Sequence, residues 1–487
     1  MLTYDMNNRG NETLYTHIYR CIKSDIENGA IAADDKLPSK RSLAKHLGVG
    51  LITVENAYRQ LATEGYIRAE ERRGYFANDV YAQVTSKKNG RAKANKTASK
   101  NKVGKSKQQW KVDLTNGEMP ASMFPLSSWS KCVRETLSLE SDETLIGEVE
   151  GIGALALREE ISNHLAKTRG LEASPENIVV GSGAQTLYNL LVQLLGRDRT
   201  VALEDPGYNR LTKIYEKNGL SVEYARMDEQ GISIDDVRKS NASTLHIMPS
   251  HQFPTGIVTS ISRRHELLSW ATEEPDRWII EDDYDCEFRL EGRPIPTLQG
   301  IDATGQVIYA NTFTKSLGAA FRIAYLVLPN ELAELWRQEM SFYSCTVPAL
   351  DQLALARFMQ KGEFDRHINR TKNRAQAIRD SLISALKEEM PANSFAIFGA
   401  EAGLHFILEF PAKEAVTLKK SFEKEGVNIT PISRYSKNQA SEKETRKHKP
   451  SGKTTTATAR FVVQYLNLQE DEILKAAKLI ASAYKKA

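Results

Sequence analysis

The sequence lacks an apolar run long enough to cross a membrane, and it has no apolar segment near its start. A helical span takes about 20 apolar residues, and an export signal takes an apolar core of roughly 7 to 15 residues. These two absences argue against membrane insertion and against export. We therefore expect a cytoplasmic protein that has no membrane partner.

Cysteine is also scarce, since the 487 residues include only four, and none belongs to a CxxC pair. They lie far apart in the chain, at Cys21, Cys132, Cys286 and Cys345. Disulfide frameworks and zinc sites need cysteines or histidines at short, regular spacings. The spacing predicts ordinary reduced thiols, and we expect no metal site.

Acidic residues are absent from residues 85–111, although this stretch holds ten of the chain's 66 Lys and Arg residues. The rest of the chain has more acidic than basic residues, so the net charge of +4 arises locally. A basic, polar stretch cannot bury enough apolar surface to offset its chain entropy. We predict a flexible linker over 82–112, between a domain at 1–81 and one at 113–487. The linker is either a plain solvated tether or an arm that attracts nucleic-acid phosphates.

Apolar residues recur at helical spacing in three stretches of the first domain, 13–28, 40–47 and 53–64. The last two stretches are joined by a short turn that contains two glycines. This is the geometry of a helix-turn-helix, whose second helix enters the major groove of DNA. Two short apolar stretches then predict a strand hairpin at 65–67 and 74–77.

The string LPSKRSLAKHLGVGLITVENAYRQLATEGYI, followed by the hairpin, resembles the winged helix-turn-helix of GntR-type regulators. The resemblance implies double-stranded DNA, an operator, as a partner. It places Ser39, Lys40 and Arg41 at phosphates. It places Thr53 and Asn56 near base edges, and Arg72 and Arg73 at the tip of the wing.

The start of the second helix departs from the GntR pattern. The family usually carries a Ser-Arg pair there, and this chain has Gly50-Leu51. We expect a phosphate or guanine contact to be missing at Leu51. The alternative use of these helices is a hairpin for protein contact, but the basic wing and the adjoining basic linker favour DNA.

From Asp113 onward, short apolar runs alternate with helical patterns, and four of the runs end at Val180, Leu203, Ile280 and Tyr309. This alternation predicts an α/β domain, with a mostly parallel sheet and helices on both of its faces. Ligands of such sheets bind at the carboxyl ends of the strands. The residues that follow each run are therefore the candidates for a site.

Chemically distinctive residues do follow these runs: GSGAQ after the first, EDPGYNR after the second, EDDY after the third and NTFTK after the fourth, with Arg322 shortly beyond. A lysine can form a Schiff base, and a carboxylate can keep a pyridine nitrogen protonated. Hydroxyls, an arginine and a helix N-terminus can bind phosphate. These needs together are those of pyridoxal 5'-phosphate (PLP).

The ordered motifs GSGAQ, EDPGYNR, HQFPTG, EDDYDCEF and TFTKSLGAAFRIAYLVLP resemble fold-type I aminotransferases. The whole chain resembles the MocR/GabR branch of GntR regulators, which implies an α/β, aminotransferase-like PLP-binding domain behind a winged helix-turn-helix. Carried over by motif, Lys315 is the Schiff-base lysine, Asp282 pairs with the pyridine nitrogen and Tyr284 bonds the phenolic oxygen. The other residues implied at the cofactor are Tyr208, stacked on the ring, and the phosphate-binding set Ala184, Gln185, Thr312, Thr314 and Arg322.

Two arginines, Arg210 and Arg460, resemble those that bind an amino-acid carboxylate in GabR-like proteins. Two other positions depart from the family pattern. Phe253 stands where many aminotransferases hold the phenolic oxygen with Asn, which leaves that duty to Tyr284. Ile146 stands where a Tyr commonly reaches a neighbour's phosphate, and its side chain has no hydroxyl with which to make this contact between subunits.

The resemblance favours a PLP-dependent transcription regulator, whose aminotransferase-like domain senses PLP or a small amino compound through aldimine chemistry. Fold-type I sites lie at a dimer interface, so a homodimer is expected. Two alternatives stay open. One is a genuine aminotransferase with an accessory DNA-binding head, and the other is a sensor of PLP itself that controls vitamin B6 synthesis. The rate of keto-acid formation, compared with ligand-dependent DNA affinity, separates enzyme from regulator.

Two further segments lie near the C-terminus. Residues 433–459 are rich in Lys, Ser and Thr and predict a mobile loop inserted in the small domain, either an effector lid or a surface insertion. Residues 470–486 place apolar side chains on one stripe and predict a helix that packs into the core.

Overall fold

The computed structural model describes residues 2–6, 9–10, 12–79, 110–292, 295–411, 413–437 and 458–487. The chain divides into two compact units, Met1–Ser106 and Lys107–Ala487. The predicted linker at 82–112 lies outside the described residues except for its last three, which already pack on the second unit. The Lys111 amide, for example, donates to the Gly426 carbonyl at 2.9 Å. No helix within the described ranges is both long and apolar enough to span a bilayer.

The first unit consists of α1 (Leu14–Glu27), α2 (Lys40–Leu47), α3 (Leu51–Thr63), β1 (Ile67–Glu70) and β2 (Gly74–Ala77). Its apolar faces meet in one small core, in which Leu43 and Val54 are fully buried. Gly48 ends α2 with a φ of 65°, a left-handed conformation that glycine adopts without steric cost. The predicted helix-turn-helix and hairpin are confirmed. Helix α3 begins slightly earlier than predicted, at Leu51, with Gly50 at the N-cap.

The second unit contains most of the secondary structure. Its strands are β3 (Val112–Asp113), β4 (Ile178–Gly181), β5 (Thr200–Asp205), β6 (Ser221–Asp228), β7 (Gly231–Ile232), β8 (Thr244–Ile247), β9 (Trp278–Asp282), β10 (Val307–Thr312), β11 (Ala324–Val327), β12 (Ala396–Phe398), β13 (His405–Pro411), β14 (Val427–Asn428), β15 (Thr430–Pro431) and β16 (Thr458–Gln464). Its α-helices are α4 (Leu126–Leu139), α5 (Asp142–Ile146), α6 (Leu155–Arg169), α7 (Ala184–Leu195), α8 (Asn209–Lys217), α9 (Ile234–Lys239), α10 (Ile261–Thr272), α11 (Thr314–Leu317), α12 (Asn330–Glu339), α13 (Ala349–Gln360), α14 (Glu363–Glu389), α15 (Ala415–Glu425) and α16 (Glu470–Lys486).

Eight strands form the central sheet, in the order β4-β11-β10-β9-β8-β5-β6-β7. The five strands from β10 to β6 in that order are parallel. By contrast, β11 runs antiparallel to both β10 and β4, and β7 runs antiparallel to β6. The mostly parallel sheet is therefore confirmed. The direction of β11 was not predicted, because a short apolar run carries no information on the direction of its strand.

A second, antiparallel sheet has the order β12-β13-β16-β15. Near it, α16 packs against α14 and α15 and buries Ile473, Ala476 and Ile480, which confirms the predicted core helix. Most of the predicted loop at 433–459 lies outside the described residues. Its first residues are held in place, because the Lys437 amide donates to a carboxylate oxygen of Asp205 at 3.0 Å.

Candidate functional site

The carboxyl ends of β5, β9 and β10 lie at one edge of the central sheet, because these strands belong to the continuous parallel run β10-β9-β8-β5. Asp282 ends β9, Thr312 ends β10, and Tyr208 closely follows β5. The predicted carboxylate, hydroxyl and aromatic side chains therefore arise from the same edge. Open α/β sheets bind their ligands at this edge.

Asp282 is 8% exposed, and its carboxylate is held by two other side chains. It accepts a hydrogen bond of 2.8 Å from the Tyr188 hydroxyl and lies 3.4 Å from Nε2 of His246. Nδ1 of His246 is 2.7 Å from the Tyr215 hydroxyl. Burial, together with the charge of Asp282, raises the pKa of Tyr188 well above its usual range, so Tyr188 is a donor. A carboxylate fixed in this way can hold a proton on a ring nitrogen.

Lys315 lies in the short helix α11, just beyond β10. Its Nζ donates to the Gly117 carbonyl at 2.8 Å. Burial lowers the pKa of Lys315, against the opposing effects of the Asp285 and Glu118 carboxylates. A lowered pKa leaves more of the amine unprotonated near neutral pH, which is the form that attacks a carbonyl carbon.

Gly117 allows the backbone to approach Lys315 closely. A Cβ atom at Gly117 would collide with the Gln464 side chain and would lie 3.2 Å from Nζ of Lys315. Gln464 ends β16, so the second sheet contacts the glycine whose carbonyl holds the lysine. The sequence analysis missed both residues, because Gly117 and Gln464 lie far from Lys315 in the chain and outside every motif.

The turn before α7 is packed against an arginine. A Cβ atom at Gly183 would collide with the Arg322 guanidinium, so this cation lies directly beside the start of the helix. The amides of Ala184 and Gln185 stand in the first turn, where backbone N–H groups have no partner inside the helix. Free amides, the positive end of a helix and an arginine together suit a phosphate.

Two threonine hydroxyls lie close together at the end of β10. Oγ1 of Thr312 and Oγ1 of Thr314 are 2.7 Å apart. The Thr312 hydroxyl also lies 3.4 Å from the Ile323 carbonyl, next to Arg322 in the chain. The structure thus brings the predicted hydroxyls to the segment that carries the predicted arginine, and their role at a phosphate stays a prediction.

Aromatic side chains line the site next to β5. The ring of Phe253 contacts Tyr208 edge-on at 6.0 Å and Tyr284 at 6.5 Å. Tyr435, from the start of the predicted loop, packs edge-on against Phe253 at 5.0 Å. Phe253 therefore fills space between the two predicted tyrosines and offers no hydrogen bond. The guanidinium of Arg210 lies 5.9 Å from the centre of the Tyr208 ring.

Behind Tyr284 lies a buried group that the sequence analysis did not assign, formed by His251, Asp285 and His405. Nδ1 of His251 is 2.8 Å from a carboxylate oxygen of Asp285 and 3.3 Å from the Tyr284 hydroxyl. The ligand atoms of this group lie within 4.8 Å of one another. The direct His251–Asp285 bond occupies atoms that would have to face an ion, so the geometry favours a hydrogen-bonded group over a metal centre. Its first two members stand inside the quoted motifs HQFPTG and EDDYDCEF.

Two of the three carboxylates in the EDDY motif have separate partners of their own. Asp283 forms a buried ion pair with Arg169 at 2.7 Å and accepts a hydrogen bond from Tyr309 at 2.8 Å. Glu281 accepts backbone N–H bonds from Leu298 and Gln299. Only Asp282 is left to face a ligand. Arg169 could not be found from sequence, because it ends a helix more than 100 residues earlier.

The two predicted effector arginines lie in different surroundings. Arg210 stands beside Tyr208, whereas the Arg460 guanidinium is half exposed on β16 and pairs with Glu409 at 2.6 Å. Ile146 is 84% exposed. The effector roles of Arg210 and Arg460 stay predictions.

In the first unit, three of the predicted DNA-contact residues have partners within the unit, and one of them, Arg73, pairs with the Glu70 carboxylate at 2.5 Å. The Ser39 hydroxyl caps α2 by accepting from the Ser42 amide at 3.1 Å. Nζ of Lys40 pairs with the Glu55 carboxylate at 2.6 Å. Arg41 is exposed.

The outer face of α3 and the wing hold the remaining predicted contacts. Thr53 and Asn56 are half-buried, and Arg72 and Arg73 are exposed in the turn between β1 and β2. The start of α3 is apolar: Leu51 is 42% exposed, and the next residue is more exposed still. The surface that an HTH protein presents to base edges is thus less charged than the GntR pattern implies.

Comparisons with known proteins identify both units. The pattern described as "Aminotransferase class I and II" matches residues 110–452, and that described as "Bacterial regulatory proteins, gntR family" matches residues 14–76. Solved structures share the fold of the second unit. An archaeal alanine:glyoxylate aminotransferase superposes with a TM-score of 0.63, 24% identity, and coverage of 77% of this chain and 91% of its own. The kynurenine aminotransferase of Pyrococcus horikoshii superposes with a TM-score of 0.64 and 23% identity, and it covers 78% of this chain and 92% of its own.

Relatives match across both units. The HTH-type transcriptional regulator YdeL of Bacillus subtilis is 34% identical, over 97% of each chain. The probable rhizopine catabolism regulatory protein MocR of Rhizobium meliloti is 30% identical, over 86% of this chain and 87% of its own. The pyridoxine biosynthesis regulator PdxR of Corynebacterium glutamicum is 29% identical, over 86% of this chain and 88% of its own.

The second unit is thus a class I and II aminotransferase domain, a fold family that depends on PLP, and the first unit is a GntR-type DNA-binding domain. The chain belongs to the MocR-type family of HTH transcriptional regulators, which join these two domains.

Proposed function

We propose that this regulator binds PLP through Lys315, and that PLP, or an amino compound that reacts with it, changes how the protein binds its operator. The observation that carries the proposal is the half-buried Lys315, whose Nζ donates to the Gly117 carbonyl at 2.8 Å and whose pKa is lowered by burial. It arises from the same sheet edge as Asp282, whose carboxylate is held by Tyr188.

The residues present fit this cofactor. PLP would supply an aldehyde for the amine and a pyridine ring that withdraws electrons. Arg322, with the first amides of α7, would hold the phosphate, because its guanidinium already packs against Gly183. Asp282 would keep a proton on the ring nitrogen, and Tyr208 would cover the ring and exclude water.

The regulatory step follows from linkage. A ligand that prefers one arrangement of the DNA-binding domains shifts the population toward that arrangement by its difference in affinity. We infer that the protein works as a homodimer, as the fold-type I resemblance implies. We also infer an effector that carries an amine and a carboxylate, with Arg210 beside Tyr208 as the carboxylate partner.

The test begins with an operator obtained by in vitro selection from random duplex DNA. The dissociation constant of this duplex is then measured with no ligand, with PLP, and with PLP plus single amino acids. Wild type is expected to change affinity at least several-fold with one of these additions, and Lys315→Ala is expected not to respond. An unchanged affinity in wild type under every addition contradicts the proposal.

The fold favours one alternative, an aminotransferase whose DNA-binding domain is accessory, because Lys315 and Asp282 are both present. Continuous keto-acid formation, at rates that persist beyond one equivalent of PLP, would support it. A third candidate is a sensor of PLP itself, in line with the printed name of the relative PdxR. A DNA response to PLP alone, with no further effect of any amine, would favour this sensor.

A further inference from the structure

The buried group behind Tyr284 consists of three polar side chains that contact one another. His251, Asp285 and His405 are each at most 5% exposed, and Asp285 carries a carboxylate. His251 bonds Asp285 at 2.8 Å, and its ring centre lies 4.7 Å from that of His405. Nε2 of His405 lies 3.2 Å from the Pro254 carbonyl. Burying three polar side chains costs free energy unless they are hydrogen-bonded, and these contacts supply such bonds.

This group contacts Tyr284, the residue predicted to bond the phenolic oxygen of PLP. The Tyr284 hydroxyl lies 3.3 Å from Nδ1 of His251, the same nitrogen that bonds the Asp285 carboxylate at 2.8 Å. Burial raises the pKa of Tyr284 far above its usual range, and the negative charges of Asp285 and Asp282 add to this effect. Tyr284 therefore keeps its proton.

The charges around Asp285 favour its ionised form. Although burial raises the pKa of Asp285, the facing groups lower it on balance, chiefly His251 through its charge and hydrogen bond, and also Lys315. Burial lowers the pKa of His405 to about 3, so His405 is neutral. Asp285 is thus a carboxylate that accepts a hydrogen bond from His251 and, lying close to Tyr284, favours retention of the Tyr284 proton.

A phenol has a single proton to donate. When PLP is bound, its phenolic oxygen and the Asp285 carboxylate compete for the Tyr284 proton. A hydrogen bond from His251 to Asp285 weakens Asp285 as a competitor, because an acceptor that is already bonded accepts further bonds less strongly.

We propose that His251 and Asp285 are positioning residues that set how strongly Tyr284 donates to the phenolic oxygen of PLP, an inference that rests on the proposed function. His251 favours donation to PLP, and Asp285 opposes it. The two residues are direct hydrogen-bond partners with opposite effects on one proton.

The test uses the full-length protein with PLP bound, and it follows the pH midpoint of the absorbance change that depends on Lys315. A stronger hydrogen bond to the phenolic oxygen leaves that oxygen less able to hold the neighbouring proton, so the midpoint falls. Asp285→Asn, which weakens the competitor, should lower the midpoint by about one pH unit. His251→Leu should raise it by a similar amount, and His251→Gln, which can still donate to Asp285, should restore it.

A damaged fold would not produce this pattern, because a general loss of packing has no reason to move the midpoint in opposite directions. A further variant isolates the phenol: in a Tyr284→Phe background, the shift caused by His251→Leu should disappear. Shifts of the same sign, no shift, or a His251→Leu shift that persists without the phenol would overturn the inference alone. The absence of any Lys315-dependent band in wild type would instead overturn the proposed function, and the inference with it.

Discussion

The Tyr188 hydroxyl donates a 2.8 Å hydrogen bond to the Asp282 carboxylate across the interior of the second unit. Tyr188 stands on α7, the helix whose first turn carries the predicted phosphate amides. One helix therefore contributes to both ends of the predicted cofactor site. Its start carries the amides that we predict to bind the phosphate. Tyr188, one turn further on, bonds the carboxylate that we predict to pair with the ring nitrogen.

Removing that hydroxyl should weaken PLP binding. Hydrogen bonds to charged groups contribute about 1.5 to 3 kcal/mol, and Tyr188→Phe leaves a buried carboxylate with one donor fewer. We expect the dissociation constant for PLP, measured by absorbance titration, to rise roughly tenfold. Tyr484→Phe, on α16, is the matched control and should bind like wild type. Equal affinities for Tyr188→Phe and wild type would show that Asp282 does not depend on this bond.

The buried ion pair between Arg169 and Asp283 should be a large contributor to stability when only one partner is removed. Arg169→Met leaves the Asp283 carboxylate buried without its cation, which typically costs about 3 to 5 kcal/mol. The double variant Arg169→Met with Asp283→Asn should recover part of this loss. Both are measured by urea unfolding.

The control for that experiment is an exposed pair. Arg366 bonds Glu363 on the surface of α14, and Arg366→Met should change the free energy of unfolding by less than about 1 kcal/mol. If Arg169→Met were no more costly than Arg366→Met, the buried pair would not have the role assigned to it.

Glu204 should make stability depend on pH. Burial is the main cause that raises its pKa from 4.5 to about 8, and its carboxyl accepts from the Met248 amide and from Gln252. The folded state therefore keeps a proton that the unfolded state releases above pH 4.5. The stability that this gives is complete below that pH and is lost as the pH rises toward 8.

Glu204→Gln should remove this part of the pH dependence. Between pH 5 and pH 9, the free energy of unfolding of wild type should fall by roughly 3 kcal/mol more than that of the variant. Chemical unfolding curves at several pH values measure the difference, with the exposed Glu388→Gln as the control of equal charge change. Parallel pH profiles for wild type and Glu204→Gln would contradict the prediction.

The DNA-binding unit offers a test through salt dependence. Arg41 is exposed near the start of α2, and a phosphate contact there should release about one counterion. Arg41→Ala should weaken binding to all sequences alike and reduce the slope of log K against log salt by about 0.9. Lys475→Ala, which removes one exposed positive charge from α16, should leave the slope unchanged. If Arg41→Ala keeps the wild-type slope of log K against log salt, Arg41 does not contact a phosphate.

Much of the fold could be predicted from sequence, because it depends on local patterns. The periodicity of 40–47 and 53–64 predicted both helices of the DNA-binding motif, and the apolar runs ending at Val180 and Ile280 predicted two strands of the sheet. Strand direction needs contacts that lie far apart in the chain. The antiparallel β11 was missed for that reason.

The site was predictable only where a motif carried it. Lys315, Asp282 and Tyr284 lie within quoted strings, and the structure places Asp282 and Lys315 at the carboxyl edge of the sheet. The residues packed around them, such as Tyr188 beside Asp282 and Gly117 beside Lys315, come from other elements and follow no local pattern. Burial and long-range packing bring them to the site, and neither can be read from spacing.

The central claim is that Lys315 binds PLP, and an absorbance scan tests it most directly. Purified wild type, Lys315→Ala and the surface control Lys420→Ala are each titrated with PLP. The account predicts a new absorbance band in wild type and in Lys420→Ala, and none in Lys315→Ala. A band that survives in Lys315→Ala, or that is missing from wild type, would contradict it.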